Sequence, residues 1–354
     1  MNAASVGASG GQRVIRVGLA GYGMAGAIFH APVIAAVPQL RITAVMTSRA
    51  EDVARDLPEA STVATARALF ADPAIDLVVI ATPNPSHFEL AEQALRAGKH
   101  VVIDKPMTIS VGEADALIAL AAETGRVLSV YQSRRWDNDF QTVRQLIETG
   151  RLGHVSAYEA HYDRFRPEVK AGWRERAQPG SGVLFDLGSH LIDQALTLFG
   201  RPETVYADVL NLRPQARVDD YFHIVLGYRD RRAIVHASCL VREPGPHFAV
   251  HGDRGSFIKY GMDSQEAALK AGQRVGTPGW GEDDPAAYGT FVAADETRES
   301  VPTLPGNYAA YYAGVAAAIN GTGPVPVTAS AARDVIAIIE IARRSAAERR
   351  TIAL

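Results

Sequence analysis

The chain carries one cysteine, Cys239, which excludes an intramolecular disulfide and any site built from several thiolates. It has no apolar stretch approaching the ~18 residues of a membrane-spanning helix. Neither sign of charge dominates: 36 Lys and Arg stand against 39 Asp and Glu, a net charge of −3. A general nucleic-acid or membrane binder is therefore not expected. The first residues, MNAASVGASGGQ, lack a basic segment followed by an apolar core. Residues 1–12 read as a disordered tail rather than an export signal. A lone cysteine and no targeting or membrane segment together predict a cytoplasmic protein. Metal-ligand spacing is missing too. His247 and His251 are four apart, but their segment reads as a strand, where that spacing separates them by ~13 Å. No metal is expected.

What is present is a globular balance, 47% hydrophobic and 21% charged residues over a length that suits two domains. Strand-like runs at Val14–Ala20, Leu40–Met46, Asp76–Ala81, Lys99–Ile103 and Val127–Val130 alternate with helical segments. The helices include a helix from about Met24, Ala66–Phe70, Ser86–Ala97 and Glu113–Glu123, the last opened by a Ser110–Glu113 capping box. This alternation predicts a doubly wound parallel α/β sheet over residues 13–133. Beyond it, helices Phe140–Thr149 and Gly182–Phe199 are followed by consecutive strands: Thr204–Leu212, Phe222–Tyr228, Ala233–Cys239, Phe248–Gly252 and Ser256–Lys259. Strands in a row predict an α+β domain over residues 134–354 with a large, mostly antiparallel, open-faced sheet. Gly276–Ala293, rich in Gly, Pro and acids, reads as an ordered excursion or lid, and helices Tyr308–Ile319 and Ala331–Ala347 close the chain.

The string VIRVGLAGYGMAG puts Gly21, Gly23 and Gly26 directly after a strand and at a helix start. In that context the first glycine permits the tight turn, the second admits a pyrophosphate, and the third lets helix pack on strand. Phosphates then sit on the N–H groups of Met24, Ala25 and Gly26, where the helix dipole favours anions. An NAD enzyme normally carries an acid about 20 residues on. Here the second strand ends Met46-Thr47-Ser48-Arg49, and Glu51 stands at capping-box spacing from Ser48. Ser48 and Arg49 suit a 2′-phosphate, so NADP is the preferred cofactor, with NAD still admissible. A solvated Arg49 on a helix's first turn is the plainer alternative. Thr82, Pro83 and Asn84 form a stiff loop at a carboxyl strand edge, either a cofactor contact or a proline turn before a helix that His87 helps to start.

Lys105, in Asp104-Lys105-Pro106, ends a buried strand on the same edge. Far downstream, Asp186 and His190 are four apart and share a face if helical. A histidine takes an alcohol's proton near neutral pH, and a carboxylate orients it.

Taken together, the glycine fingerprint, the acid-Lys-Pro segment and Asp-x-x-x-His resemble the Gfo/Idh/MocA oxidoreductases, from about Val14 to the C-terminus. FHAPVI, SRRWDNDF, DLGSHLIDQALTLFG and FIKYGMDSQEAALKAG resemble its NADP-dependent scyllo-inositol dehydrogenase branch. The usual Glu before Lys-Pro is Asp104 here. The resemblance implies that Lys105, Asp186 and His190 act at the carbon exchanging hydride with NADP, on a cyclic polyol or sugar. In that scheme His190 takes the hydroxyl proton, Asp186 orients His190 and Lys105 supports the oxygen. It also implies a homodimer or homotetramer. Arg135 and Trp136 are candidate sugar contacts, Trp136 equally a core residue; Tyr162, Arg164 and Trp173 either line the pocket or pack. Two rivals stay open: a catalytically silent sugar- or nucleotide-sensing regulator, and an NAD-dependent glycosidase on the same fold.

Overall fold

The computed structural model describes residues 13–354; the tail expected over residues 1–12 lies outside them. The first sheet is built from β1 (Ile15–Ala20), β2 (Leu40–Met46), β3 (Ser61–Val63), β4 (Leu77–Ile80), β5 (His100–Asp104) and β6 (Leu128–Tyr131). All pair in parallel, in the order β3-β2-β1-β4-β5-β6. Every residue of β4 and β6 is buried, as a parallel sheet covered on both faces requires. The helices between the strands are α1 (Ala31–Ala35), α2 (Ala50–Asp56), α3 (Ala66–Ala71), α4 (His87–Arg96) and α5 (Val111–Thr124). Ser110 caps α5 as its spacing suggested: its Oγ accepts the Glu113 N–H at 3.3 Å, while Glu113 Oε2 reaches one residue further back, to the Ile109 N–H at 3.1 Å.

The second sheet comprises β7 (Val155–His161), β8 (Thr204–Leu210), β9 (Tyr221–Gly227), β10 (Arg232–Ser238), β11 (Phe248–Gly252), β12 (Gly255–Lys259), β13 (Gly289–Ala293), β14 (Arg298–Val301) and β15 (Ile352–Ala353). Only β7 and β10 pair in parallel; the remaining ladders are antiparallel. Alternation assigns its faces. Phe222, Ile224 and Leu226 of β9 and Ala233, Val235 and Ala237 of β10 are fully buried, while Tyr221, His223 and His236 are half-buried on the opposite face.

Helices α6 (Asn138–Glu148), α7 (Ser189–Phe199), α8 (Gln265–Lys270), α9 (Tyr308–Ile319) and α10 (Ala329–Glu348) complete the chain. The returning C-terminal third feeds both cores. Tyr308, Tyr311 and Tyr312 of α9 pack with the first sheet, whereas Val335, Ile336 and Ile339 of α10 pack with the second. The segment read as an excursion, 276–293, ends in strand β13, paired between β12 and β14.

Candidate active site

The residues expected to hold a nucleotide follow β1, β2 and β4, side by side along one carboxyl edge, with the order reversing between β1 and β4. Such a switch point opens a crevice for a ligand. Gly21 has φ of 100°, and a Cβ there would lie 2.9 Å from the Ala81 carbonyl oxygen. A Cβ on Gly26 would lie 2.1 Å from the Gly21 carbonyl oxygen, so this glycine is what lets the helix close on the turn. Gly23 differs: a Cβ there would meet no protein atom within 4 Å, which leaves room for a pyrophosphate. Met24, Ala25 and Gly26 follow at the start of a helix whose first turns, Ala25–His30, are π-type before it becomes α1. A helix's first N–H groups have no intrahelical partners and are free for an anion.

Beyond β2 the Ser48–Glu51 capping box does not form. Arg49 occupies the N-cap of α2 without a side-chain cap, and Thr47 Oγ1 accepts the Arg49 N–H at 3.0 Å. The Arg49 guanidinium donates to Asp52 Oδ2 at 2.6 Å and to the Tyr22 carbonyl at 3.1 Å, which fixes it beside the glycine turn while about half its side chain stays exposed. Ser48 lies next to it, exposed. Beyond β4, Thr82 Oγ1 and Ser86 Oγ share a hydrogen bond of 2.7 Å, Pro83 precedes the turn, and the buried Asn84 donates from Nδ2 to the Gly180 carbonyl of the second domain at 2.9 Å. His87 opens α4, as its position suggested, and also bridges two loops: Nδ1 lies 2.8 Å from the Pro106 carbonyl and Nε2 2.9 Å from the Thr82 carbonyl.

Lys105 stands where β5 ends, and the Lys105–Pro106 peptide is cis. Its Nζ crosses to the second domain, donating to the Asp186 main-chain oxygen at 2.6 Å and to Asp186 Oδ1 at 3.1 Å. Arg174 Nε donates to the same Oδ1 at 3.2 Å. Burial alone would raise the Asp186 carboxyl, but the charges of Lys105, Arg174 and Arg164 outweigh it and hold it below the ordinary carboxylate range. Asp186 sits in a π-type turn, Leu184–Gly188, just before α7 rather than in it. Among the described residues no hydrogen bond joins it to His190. The expectation that Asp186 orients His190 is thus corrected: two cations claim its carboxylate, and charge-assisted bonds of that kind outcompete one from a neutral imidazole.

His190, in the first turn of α7, is buried, and its Nδ1 has no hydrogen-bond partner. Burial, reinforced by the positive charges of Lys105 and Arg134, pushes its imidazole well below the usual value of 6.5. It is therefore neutral at neutral pH, the form that accepts a proton. Gln132, buried just past β6, donates to the Ser189 carbonyl at 3.4 Å and has a buried Oε1 without a partner.

The other candidates divide. Arg135 forms a bidentate pair with Asp193 of α7, at 2.7 and 2.6 Å, so its guanidinium is spent on a protein carboxylate. Trp136 packs against the first core, edge-on to Tyr311 at 5.5 Å. Tyr162 accepts a hydrogen bond from Arg134 Nη2 at 3.0 Å, and its phenol is pushed up, first by burial and against the opposing charge of Arg134. Arg164 lies near enough to Asp186 to depress it, and its Nε is buried without a partner. Trp173 is half-buried, with the Arg174 guanidinium 4.5 Å from its ring centre. Sequence reasoning missed Arg174 and Gln132; only the proximity of Arg174 to Trp173 and of Gln132 to a strand end hinted at them.

Residues 15–132 match the family model GFO_IDH_MocA, described as an oxidoreductase family, NAD-binding Rossmann fold. Residues 144–354 match the companion model for the C-terminal alpha/beta domain of that oxidoreductase family. The uncharacterized oxidoreductase YdgJ of Escherichia coli (strain K12) is 48% identical over 341 residues, covering 96% of this chain and 99% of the relative. The scyllo-inositol 2-dehydrogenase (NADP(+)) IolW of Bacillus subtilis (strain 168) is 44% identical over 343 residues, 96% of each chain. Among solved structures, a putative oxidoreductase yvaA from Bacillus subtilis superposes with a TM-score of 0.95 at 44% identity, covering 97% of this chain and 99% of that one.

Proposed function

This chain belongs to the Gfo/Idh/MocA oxidoreductase family and is an NAD(P)-dependent dehydrogenase acting on CH–OH groups; within it we propose an NADP-preferring enzyme for a secondary hydroxyl of a cyclic polyol of the inositol type. The observation that carries this reading is the pairing of a strand-end cation, Lys105, with Asp186 at 3.1 Å across the cleft, one helical turn before a buried neutral His190. The inositol-type substrate is supported by the 44% identity to IolW along nearly the whole chain.

The residues present fit a dinucleotide, since Gly23 leaves open space at the turn and Arg49 is fixed beside it with its side chain half-exposed. Met24, Ala25 and Gly26 would hold the pyrophosphate, and Ser48 with Arg49 the 2′-phosphate. When bound, the nicotinamide supplies the hydride acceptor in oxidation. His190, neutral, takes the hydroxyl proton while the C–H electron pair leaves as hydride, so the alcohol becomes a ketone. Lys105 donates a hydrogen bond to that oxygen as it gains charge. Asp186 acts through Lys105, holding the ammonium at the mouth of the cleft. Asn84, bonded to Gly180, ties the cofactor loop to the domain that carries His190.

The direct experiment presents purified protein with a panel of inositols, aldoses and sugar acids, each with NAD+ and NADP+, and follows reduced nicotinamide. The reading expects highest kcat/KM for an inositol with NADP+. Turnover confined to open-chain or acidic sugars would overturn the substrate class, and a preference for NAD+ the cofactor choice.

A further inference from the structure

His161 of β7 and His236 of β10 are register partners in the parallel ladder. Their strand neighbours Ala160, Val235 and Ala237 are buried in the second core, so both imidazoles project from the sheet's other face. Asp163, two residues past His161, lies between them: His236 Nε2 is 3.2 Å from its Oδ1 and His161 Nδ1 is 3.4 Å from its Oδ2. One ligand atom from each residue falls within 4.8 Å of the others. At a tetrahedral site with metal–nitrogen bonds of about 2.0–2.1 Å, neighbouring ligand atoms stand about 3.3 Å apart. The two histidine–aspartate separations, one to each carboxylate oxygen, are close to that edge, so rotations of side chains bring one oxygen and both imidazole nitrogens around one ion.

Two further contacts prepare the ligands. Glu159 Oε2 lies 3.4 Å from His161 Nε2, placed to accept a hydrogen bond from that nitrogen when Nδ1 turns to an ion, as carboxylates behind metal-bound histidines do. The Ser238 N–H donates to Asp163 Oδ1 at 3.0 Å, which fixes the carboxylate. The groups facing the Asp163 carboxylate are the two histidines, and no Lys or Arg among the described residues forms an ion pair with it. The side chains are 26%, 7% and 13% exposed for His161, Asp163 and His236, sheltered yet reachable.

We propose that His161, Asp163 and His236 form a binding site for a divalent transition-metal cation of the zinc type, with a fourth position open on the sheet face. Two imidazoles with one carboxylate favour such an ion over magnesium or calcium, which take oxygen ligands. The site shares no residue with Lys105, Asp186 and His190 and does not depend on the substrate of the enzyme. The rival occupancy is a His–Asp–His ion-paired cluster without metal, in which the buried, partnerless His236 Nδ1 is a bare lone pair.

The test strips the full chain with a chelator and titrates it with ZnCl2 against a chromophoric competitor, and separately with CoCl2. The proposal expects one saturable equivalent per chain and the intense visible d–d band of tetrahedral cobalt. A His161→Ala/His236→Ala double variant, shown to be folded by a cooperative thermal melt, should lose both. Glu159→Gln should keep the site and weaken it by about 10–100-fold. No saturable equivalent in the parent, or an unchanged one in the double variant, would leave only the ion-paired cluster. Should the double variant not fold, His236→Gln, read by the cobalt band alone, takes its place: an unchanged band overturns the assignment.

Discussion

Lys105 Nζ, at the end of the fifth strand of the nucleotide domain, donates both to the main-chain oxygen and to Oδ1 of Asp186 in the second domain, at 2.6 and 3.1 Å. Each domain thereby completes the other's site. The pair is held at a cleft, so Asp186→Asn and Lys105→Met should be strongly non-additive in kcat. Groups acting as a unit each cost nearly what both cost together. A product of the two single losses in the double variant would show that Asp186 acts elsewhere.

Arg49→Ala should weaken NADPH far more than NADH, by about 1.5–3 kcal/mol for a lost charge-assisted contact. Fluorescence titration of both reduced cofactors measures this. Equal losses would mean that Arg49, already bonded to Asp52 and the Tyr22 carbonyl, only braces the turn.

The glycine turn offers a paired test. Gly26→Ala drives a Cβ to 2.1 Å from a backbone oxygen, whereas Gly23→Ala meets nothing. Gly26→Ala should lower Tm, with Gly23→Ala keeping Tm and losing dinucleotide affinity. Intact NADPH binding in a stable Gly23→Ala protein would place the phosphates elsewhere.

The pH profile has a definite sign. Oxidation needs neutral His190, so kcat/KM falls as pH drops through that pKa. Burial first, then the charges of Lys105 and Arg134, set this pKa well below 6.5. Oxidation should therefore stay level through pH 6.5 and decline only below it. Lys105→Met removes one of the depressing charges and should move the acid limb upward. An inflection at or above 6.5 in the parent enzyme would contradict a buried neutral base.

Much of this was legible in the sequence because it is written locally. β2 ran where its alternating apolar residues placed it, Leu40–Met46, and α9 where its run of alanines and tyrosines did, Tyr308–Ile319. β3, Ser61–Val63, is three residues long and largely exposed, too short and polar to signal. β13, Gly289–Ala293, was masked by the Gly- and acid-rich residues before it. The Ser48–Glu51 spacing suggested a cap, but the Thr47 hydroxyl took the Arg49 N–H instead. Contacts between distant segments were least legible. Nothing local reveals that Arg174 and Lys105 share one carboxylate oxygen, that Arg135 is bound to Asp193, or that parallel pairing of β7 with β10 brings His161 beside His236.

The central claim is that Lys105 and His190, from different domains, address one reacting oxygen, and a double-mutant cycle in kcat on the best substrate tests it most directly. Lys105→Met and His190→Ala should each cut kcat by about 10²–10⁴ with NADPH binding and Tm nearly unchanged, and the combined loss should fall far short of their product. Near-normal kcat in either single variant, or a fully multiplicative double variant, would contradict it.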